Sequence, residues 1–99
     1  MLERDFQGGM DGVIKEIYRR VPGCIIMKND ANYKQGISDL TIYYKDKYAI
    51  LEVKQNSKAS YRPNQETYLD AFKKYTYARR IEPENKEEVI NGLCEFFGI

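Results

Sequence analysis

Histidine is absent from all 99 residues. Ser-His-Asp and Cys-His catalysis are thereby excluded, because no other side chain in this chain can act as their imidazole base. The common Cys/His zinc sites go with them, and two cysteines, Cys24 and Cys94, are too few for a disulfide framework. Both are expected as buried thiols. No apolar run approaches the roughly 20 residues that a bilayer span requires. The opening MLERDFQGG lacks the basic region and apolar stretch of a signal peptide, so the chain is expected in the cytoplasm. Neither sign of charge is in large excess: the formal net charge is +1, and a polyanionic partner would have to be held by local basic clusters instead of an overall field. Such clusters occur at Lys15, Arg19 and Arg20, at Lys58 and Arg62, at Lys73 and Lys74, and at Arg79 and Arg80, although each would also serve as ordinary solvated surface. Any chemistry therefore falls to carboxylates, lysine and, where one binds, a hard metal ion.

What is present is a globular composition, 42% apolar and 31% charged, at a length that suits one domain over residues 1–99. Residues 3–20 read as a helix, with Phe6, Met10, Val13, Ile14 and Ile17 forming one apolar stripe, interrupted by glycines and stopped by VPG. CIIMKN at 24–29 reads as a short strand and DANYKQG as the polar connection after it. The strands DLTIYY and YAILEVK follow, joined by a tight turn around Lys45, Asp46 and Lys47. Pro63 fits the first turn of a helix that runs to about Tyr75, with Leu69, Phe72 and Tyr75 on its buried side. TYARRI reads as a fourth strand. Asn85 is placed as an N-cap with Glu88 as capping-box partner, opening a last helix with Val89, Ile90, Leu93, Phe96 and Phe97 inward. The order α-β-β-β-α-β-α predicts an α/β fold, a mixed four-stranded sheet flanked by helices, in which the hairpin strands are central and covered on both faces.

Those central strands carry charge where apolar residues are expected, in GISDLTIYYKDKYAILEVKQ at 36–55. A two-residue turn at 45 and 46, or at 46 and 47, makes the numbers of facing residues sum to 91 or 93, which sets Asp39 opposite Glu52 or opposite Lys54. Side chains alternate along a strand, so either register puts Asp39, Glu52 and Lys54 on one face; a three-residue turn would break the alignment. Two carboxylates would then stand within about 5 Å at Cβ, an arrangement that a divalent cation relieves. Oxygen ligands of this kind suit Mg²⁺ or Mn²⁺, and a neighbouring lysine suits phosphodiester hydrolysis, by orienting water or stabilising charge on phosphate. A partly buried ion pair of Lys54 with Glu52 or Asp39 is the competing explanation.

GISDL at 36–40, LEVKQ at 51–55 and RPNQETYL at 62–69 occur in an order and at spacings that resemble the VRR-NUC domain, a branch of the PD-(D/E)XK nuclease superfamily, over most of the chain. Ser38 stands where that family usually has proline, a departure expected to alter strand entry more than metal binding. The resemblance implies a restriction-endonuclease-like core and a metal-dependent endonuclease acting on DNA. It matches Asp39, Glu52 and Lys54 to catalytic positions, Gln65 to a helix glutamine beside the centre, and Tyr68 to a position where an aromatic is common. It also implies an acidic residue on the first helix, best matched by Glu3 with Gln7 one turn on, with Asp5 and Glu16 as competitors. On this reading Asp39, Glu52, Glu3 and the Val53 carbonyl hold Mg²⁺ or Mn²⁺, while Lys58, Arg62, Tyr68, Lys73 and Lys74 contact DNA. Compact members are associated with phage and bacterial genomes, homodimers and Holliday junctions; a homodimer would give a two-fold junction two matched active sites, and Phe96 and Phe97 would serve either that interface or the core. A non-catalytic nucleic-acid-binding module, with Tyr33, Tyr61 and Tyr68 stacking on bases, is the alternative. A small structural subunit with an incidental ion pair is a third.

Overall fold

A computed structural model describes residues 9–99. The elements are α1 (Gly9–Arg20), β1 (Ile25–Lys28), β2 (Leu40–Tyr44), β3 (Lys47–Val53), α2 (Gln65–Lys73), β4 (Tyr77–Ile81) and α3 (Lys86–Phe97), in the order expected. The sheet runs β1-β2-β3-β4. The first three strands are antiparallel, and α2 carries the chain across to β4, which pairs in parallel with β3. A crossover of this length is what a parallel return requires.

Alternation along the strands divides the core in two. Leu40, Ile42, Ala49, Leu51, Val53 and Ile81 pack with Val13 and Ile17 of α1 and with Val89, Ile90, Leu93 and Phe97 of α3. Ile50 and Ala78, pointing the other way, pack with Leu69 of α2. Phe97 meets Tyr44 at 5.4 Å between ring centroids and Phe96 meets Tyr77 at 5.8 Å, so both phenylalanines of the last helix serve the core of their own chain. Cys24 and Cys94 are buried free thiols. No helix among the described residues is long and apolar enough to cross a membrane.

The β2–β3 hairpin turns on two residues, Lys45 and Asp46, because Tyr44 pairs with Lys47 and Leu40 with Leu51. Lys45 adopts φ 56°, the left-handed backbone that such short turns demand. The sums of paired numbers are therefore 91.

Four local expectations need correction. The α2 helix begins at Gln65, not Pro63, because Asn64 takes a left-handed φ of 70° that no helix can include. Tyr75 is 79% exposed, since the helix has ended before it. Asn85 is the N-cap residue of α3, its carbonyl accepting the Val89 N–H at 2.9 Å, but the expected capping box does not form: its Oδ1 accepts from the Glu82 N–H at 2.8 Å, its Nδ2 donates to the Arg80 carbonyl at 3.0 Å, and Glu88 pairs with Arg79 instead. The strand β2 is covered on both faces only as far as Ile42, because α2 lies over β3 and β4; Tyr43 is exposed, as are Ile25 and Met27 on β1.

Candidate functional site

Asp39 immediately precedes β2, and the ladder extends to it because its carbonyl accepts the Asn29 N–H at 2.8 Å. One step beyond the Leu40–Leu51 pair, it lies opposite Glu52. The chain bends at Asp39 itself, and the Ser38 carbonyl before it is held by the Asn29 side chain at 3.0 Å. The Val53 N–H, which would otherwise seek a partner on β2, donates to Asp39 Oδ2 at 2.8 Å. In a strand the N–H and C=O of one residue point to the same side, so the Val53 carbonyl is directed toward Asp39 as well.

Glu52 belongs to the central strand and is 1% exposed. Gln65, the first residue of α2, donates its Nε2 to Glu52 Oε2 at 3.0 Å. Its Oε1 accepts from Lys54 Nζ at 2.7 Å and from the Arg62 N–H at 2.6 Å. Turning this amide over would set two N–H groups against an ammonium and a backbone donor, so the network fixes its orientation. Lys54 Nζ stands 3.6 Å from Glu52 Oε2, with the ring of Tyr61 at 6.0 Å. Glu52 Oε1 is buried without a hydrogen-bond partner. Loss of water around the carboxyl, and then the charge and hydrogen bonding of neighbouring Asp39, push Glu52 up to about 8, against a smaller opposing pull from Lys54. The shift favours the protonated form of Glu52 when no metal is bound, with Asp39 beside it.

These groups line a cleft of about 230 Å³ together with Ala31, Gln35, Gly36, Ile37, Arg62 and Pro63. A second hollow of about 290 Å³, lined by Gln55, Ala59 and Ser60, shares Lys54 and Arg62 with it. Two carboxylates, a directed carbonyl and an orphaned carboxylate oxygen fit a hard divalent cation, although no group of three or more Asp, Glu, Cys or His side chains gathers among the described residues. Glu3, with Asp5 and Gln7, lies outside those residues. Glu16 pairs with Arg19 on α1. The Asp11–Lys28 pair at 3.0 Å sets the described start of α1 near the end of the sheet where Asp39 lies.

The structure thus gathers Asp39, Glu52, Lys54, Gln65, Val53 and Arg62. It separates Lys73 and Lys74, which close α2 about 12 Å along its axis from Gln65, Lys73 being paired with Asp70 at 3.5 Å. Lys58 is exposed on the loop behind the second hollow, its N–H held by Asn56 Oδ1. Tyr68 is one turn beyond Gln65, with Lys34 Nζ 5.4 Å from its ring centre. Sequence reasoning missed the 30–37 connection as a wall of the cleft. The signal was Gly36, whose φ of 89° and close packing on Asn64 and Pro63 join that connection to the start of α2.

No family model and no curated protein matches the chain. Among solved structures, one described as "VRR_NUC domain" superimposes with a TM-score of 0.61 at 19% identity, covering 80% of this chain and 90% of its own. Another, described as "VRR_NUC domain protein", gives 0.58 at 17% identity, covering 87% and 85%. The chain shares the restriction-endonuclease-like fold of these proteins.

Proposed function

We propose that this protein is a metal-dependent endodeoxyribonuclease that cuts phosphodiester bonds in branched DNA, such as a Holliday junction, within a bacterial or phage-infected cell. The observation that carries the reading is Glu52 Oε1: a buried carboxylate oxygen beside a second carboxylate, with no donor supplied to it. A protein that needed only an ion pair with Lys54 would have no use for a second carboxylate beside Glu52, where the two must share either a proton or a cation.

Asp39, Glu52 and the Val53 carbonyl are the residues that would hold Mg²⁺ or Mn²⁺, with Glu3 as the further carboxylate. The ion, when bound, supplies positive charge to polarise the phosphodiester and to acidify a water. Val53 orients Asp39 through its N–H, and Gln65 fixes the Glu52 carboxylate while holding Lys54 alongside. Lys54 has three N–H donors. With Gln65 Oε1 and Glu52 Oε2 on one side, it retains a donor for the attacking water or for the phosphate oxygen on which charge accumulates. The water oxygen forms the new bond to phosphorus, the bond to the leaving oxygen breaks, and that oxygen takes a proton. Arg62, on the wall between the two hollows, is placed for a neighbouring phosphate. A homodimer would bring two such centres to the two strands of a two-fold junction.

Incubating the purified protein with junction and linear duplex DNA in Mg²⁺ or Mn²⁺ tests this. Divalent-dependent cutting that favours the junction, and that disappears in Lys54→Ala and Asp39→Ala, is expected; cutting unchanged in both variants overturns it. The second reading, a module that binds nucleic acid without cutting, draws on the aromatic and basic residues Tyr33, Lys34 and Tyr68 near the cleft. Tight metal-independent binding with no product after long incubation would favour it.

A further inference from the structure

The connection at residues 30–37 shows a large aromatic ring to solvent at the rim of the cleft. Tyr33 is 86% exposed, above Tyr75 at 79% and Ile25 at 59%. Tyr75 lies beyond the far end of α2. Tyr33, by contrast, stands two residues from Ala31 on one side and two from Gln35 on the other, both of which line the cleft with Asp39 and Glu52.

The segment that carries the ring is held at many points. Asp30 Oδ1 accepts the Asn32 N–H at 2.8 Å and the Asp30 carbonyl accepts the Tyr33 N–H at 3.0 Å, while the Lys34 carbonyl accepts the Ile37 N–H at 3.2 Å. Asn29 fastens the base by donating to the Ser38 carbonyl and to Thr41 Oγ1, each at 3.0 Å. Gly36 clamps the far end: a Cβ there would meet Asn64 Cβ at 2.5 Å and the Pro63 carbonyl oxygen at 2.8 Å. An aromatic ring on a preformed turn loses little conformational freedom when something stacks on it. The adjoining Lys34 is drawn over the Tyr68 ring of α2 at 5.4 Å, which sets a cation for a phosphate between the turn that carries Tyr33 and the head of α2.

Resting on the nuclease reading above, we infer that the 30–37 turn is a stacking station for one unpaired base, so that the DNA admitted to the cleft carries an unstacked nucleotide next to the scissile phosphate. Tyr33 receives the base and Lys34 the phosphate attached to it. Fully paired duplex buries its bases in its own stack and offers Tyr33 nothing to receive. Within branched DNA the substrate class is therefore the kind with an unpaired step at the branch, an overhang or a gap, in preference to a junction that is paired throughout.

The test uses a hairpin DNA with a short overhang carrying 2-aminopurine, whose fluorescence falls when it stacks, and a fully paired hairpin as its control. Titrations are run in EDTA, and again with Mg²⁺ in a Lys54→Ala background. The overhang probe is expected to be quenched by protein with Tyr33 and by Tyr33→Phe. Tyr33→Ala should lose the quench and bind the overhang roughly 5- to 150-fold more weakly, the worth of one base stack, with its affinity for the paired hairpin held. Because the ring is exposed, Tyr33→Ala should melt with its parent, which a thermal scan verifies. Equal quench and equal affinity in Tyr33→Ala overturn the inference, as does a cutting rate whose overhang-to-duplex ratio is unmoved by that change. If no DNA is cut at all but the quench still requires Tyr33, the nuclease reading falls and the stacking surface stands.

Discussion

Replacing Glu52 by glutamine preserves the shape of the side chain and removes its proton chemistry, which makes Glu52→Gln the most informative perturbation of the cleft. Glu52 is raised from an ordinary 4.5 to about 8 in the folded protein, so the folded state holds its proton more tightly than the unfolded chain does. The stability this confers is complete below about pH 4.5 and is lost as the pH climbs through about 8. Within that window each pH unit removes about 1.4 kcal/mol. In a domain of this size 1 kcal/mol moves the melting temperature by about 4–8 °C. The Glu52→Gln protein lacks this titration. Its melting temperature, measured without metal at half-unit steps from pH 5 to 8, should therefore gain on that of the parent by several degrees per unit. Titrating groups away from the cleft are common to both proteins and cancel in the difference, whereas the interaction of Asp39 with Glu52 is part of the effect being read. Curves that run parallel across the window would show that Glu52 is ionised throughout, and would refute both its protonation and the crowding by Asp39 that explains it. Adding Mn²⁺ at pH 7 to 8 should restore the parent, with the cation in the place of the proton, and leave Glu52→Gln nearly unmoved.

The same exchange makes Mn²⁺ binding release close to one proton at pH 6.5 and much less above pH 8.5, which calorimetry in buffers of different ionisation enthalpy reads directly. Gln65→Leu leaves the Lys54 ammonium and Glu52 Oε2 without their shared partner; it should cost about 1.5–3 kcal/mol in urea unfolding and slow single-turnover cutting roughly 10- to 100-fold. Gly36→Ala drives a Cβ into Asn64 and strains a φ of 89°; a loss of about 1–3 kcal/mol is expected, together with weaker binding of overhang DNA. Lys45→Gly relieves the left-handed φ of 56° in the hairpin turn and should be neutral or stabilising by up to about 1 kcal/mol with cutting unchanged.

How much of this was legible in the sequence follows from which forces are local. The hairpin register depended only on strand alternation and a two-residue turn, so residue numbers alone set Asp39 opposite Glu52 or opposite Lys54, and the Leu40–Leu51 pair selects Glu52. Gln65 reached the same cluster through a motif, and its place at the head of α2 supplies the physical reason. Local rules failed where a distant segment intervened. Pro63 and Asn64 look like a helix start, but Gly36 packs on them and holds Asn64 in left-handed backbone. Asn85 does hold the N-cap position, but the carbonyl of Arg80 and the N–H of Glu82 use both ends of its amide, so no capping box forms. The resemblance set Lys73 and Lys74 on DNA together with Arg62; the length of α2 puts them at the opposite end of the helix from Gln65.

Glu52 and Glu82 offer a controlled comparison within one face of the sheet. Arg80 is paired with Glu52 in the parallel register of β3 and β4, yet its guanidinium turns to Glu82, two residues on, at 2.7 Å. It also donates to the carbonyls of Asn56 at 2.9 Å and Ser57 at 3.2 Å and lies 5.1 Å from the Tyr61 ring. That ion pair is closed: each partner is committed and the surrounding loop is tied down with it. The neighbouring pair is open. Lys54 stays 3.6 Å from Glu52, the Gln65 amide bridges the two from the side, and one carboxylate oxygen is left without a donor. If Glu52 and Lys54 existed to stabilise the sheet, the closed geometry was within reach, with an arginine already in register beside Glu52. An acid held in place by glutamine, denied a full counter-ion and crowded by Asp39 instead has capacity left for a cation. That unmet capacity is what sets the Glu52–Lys54 pair apart from the closed Arg80–Glu82 pair.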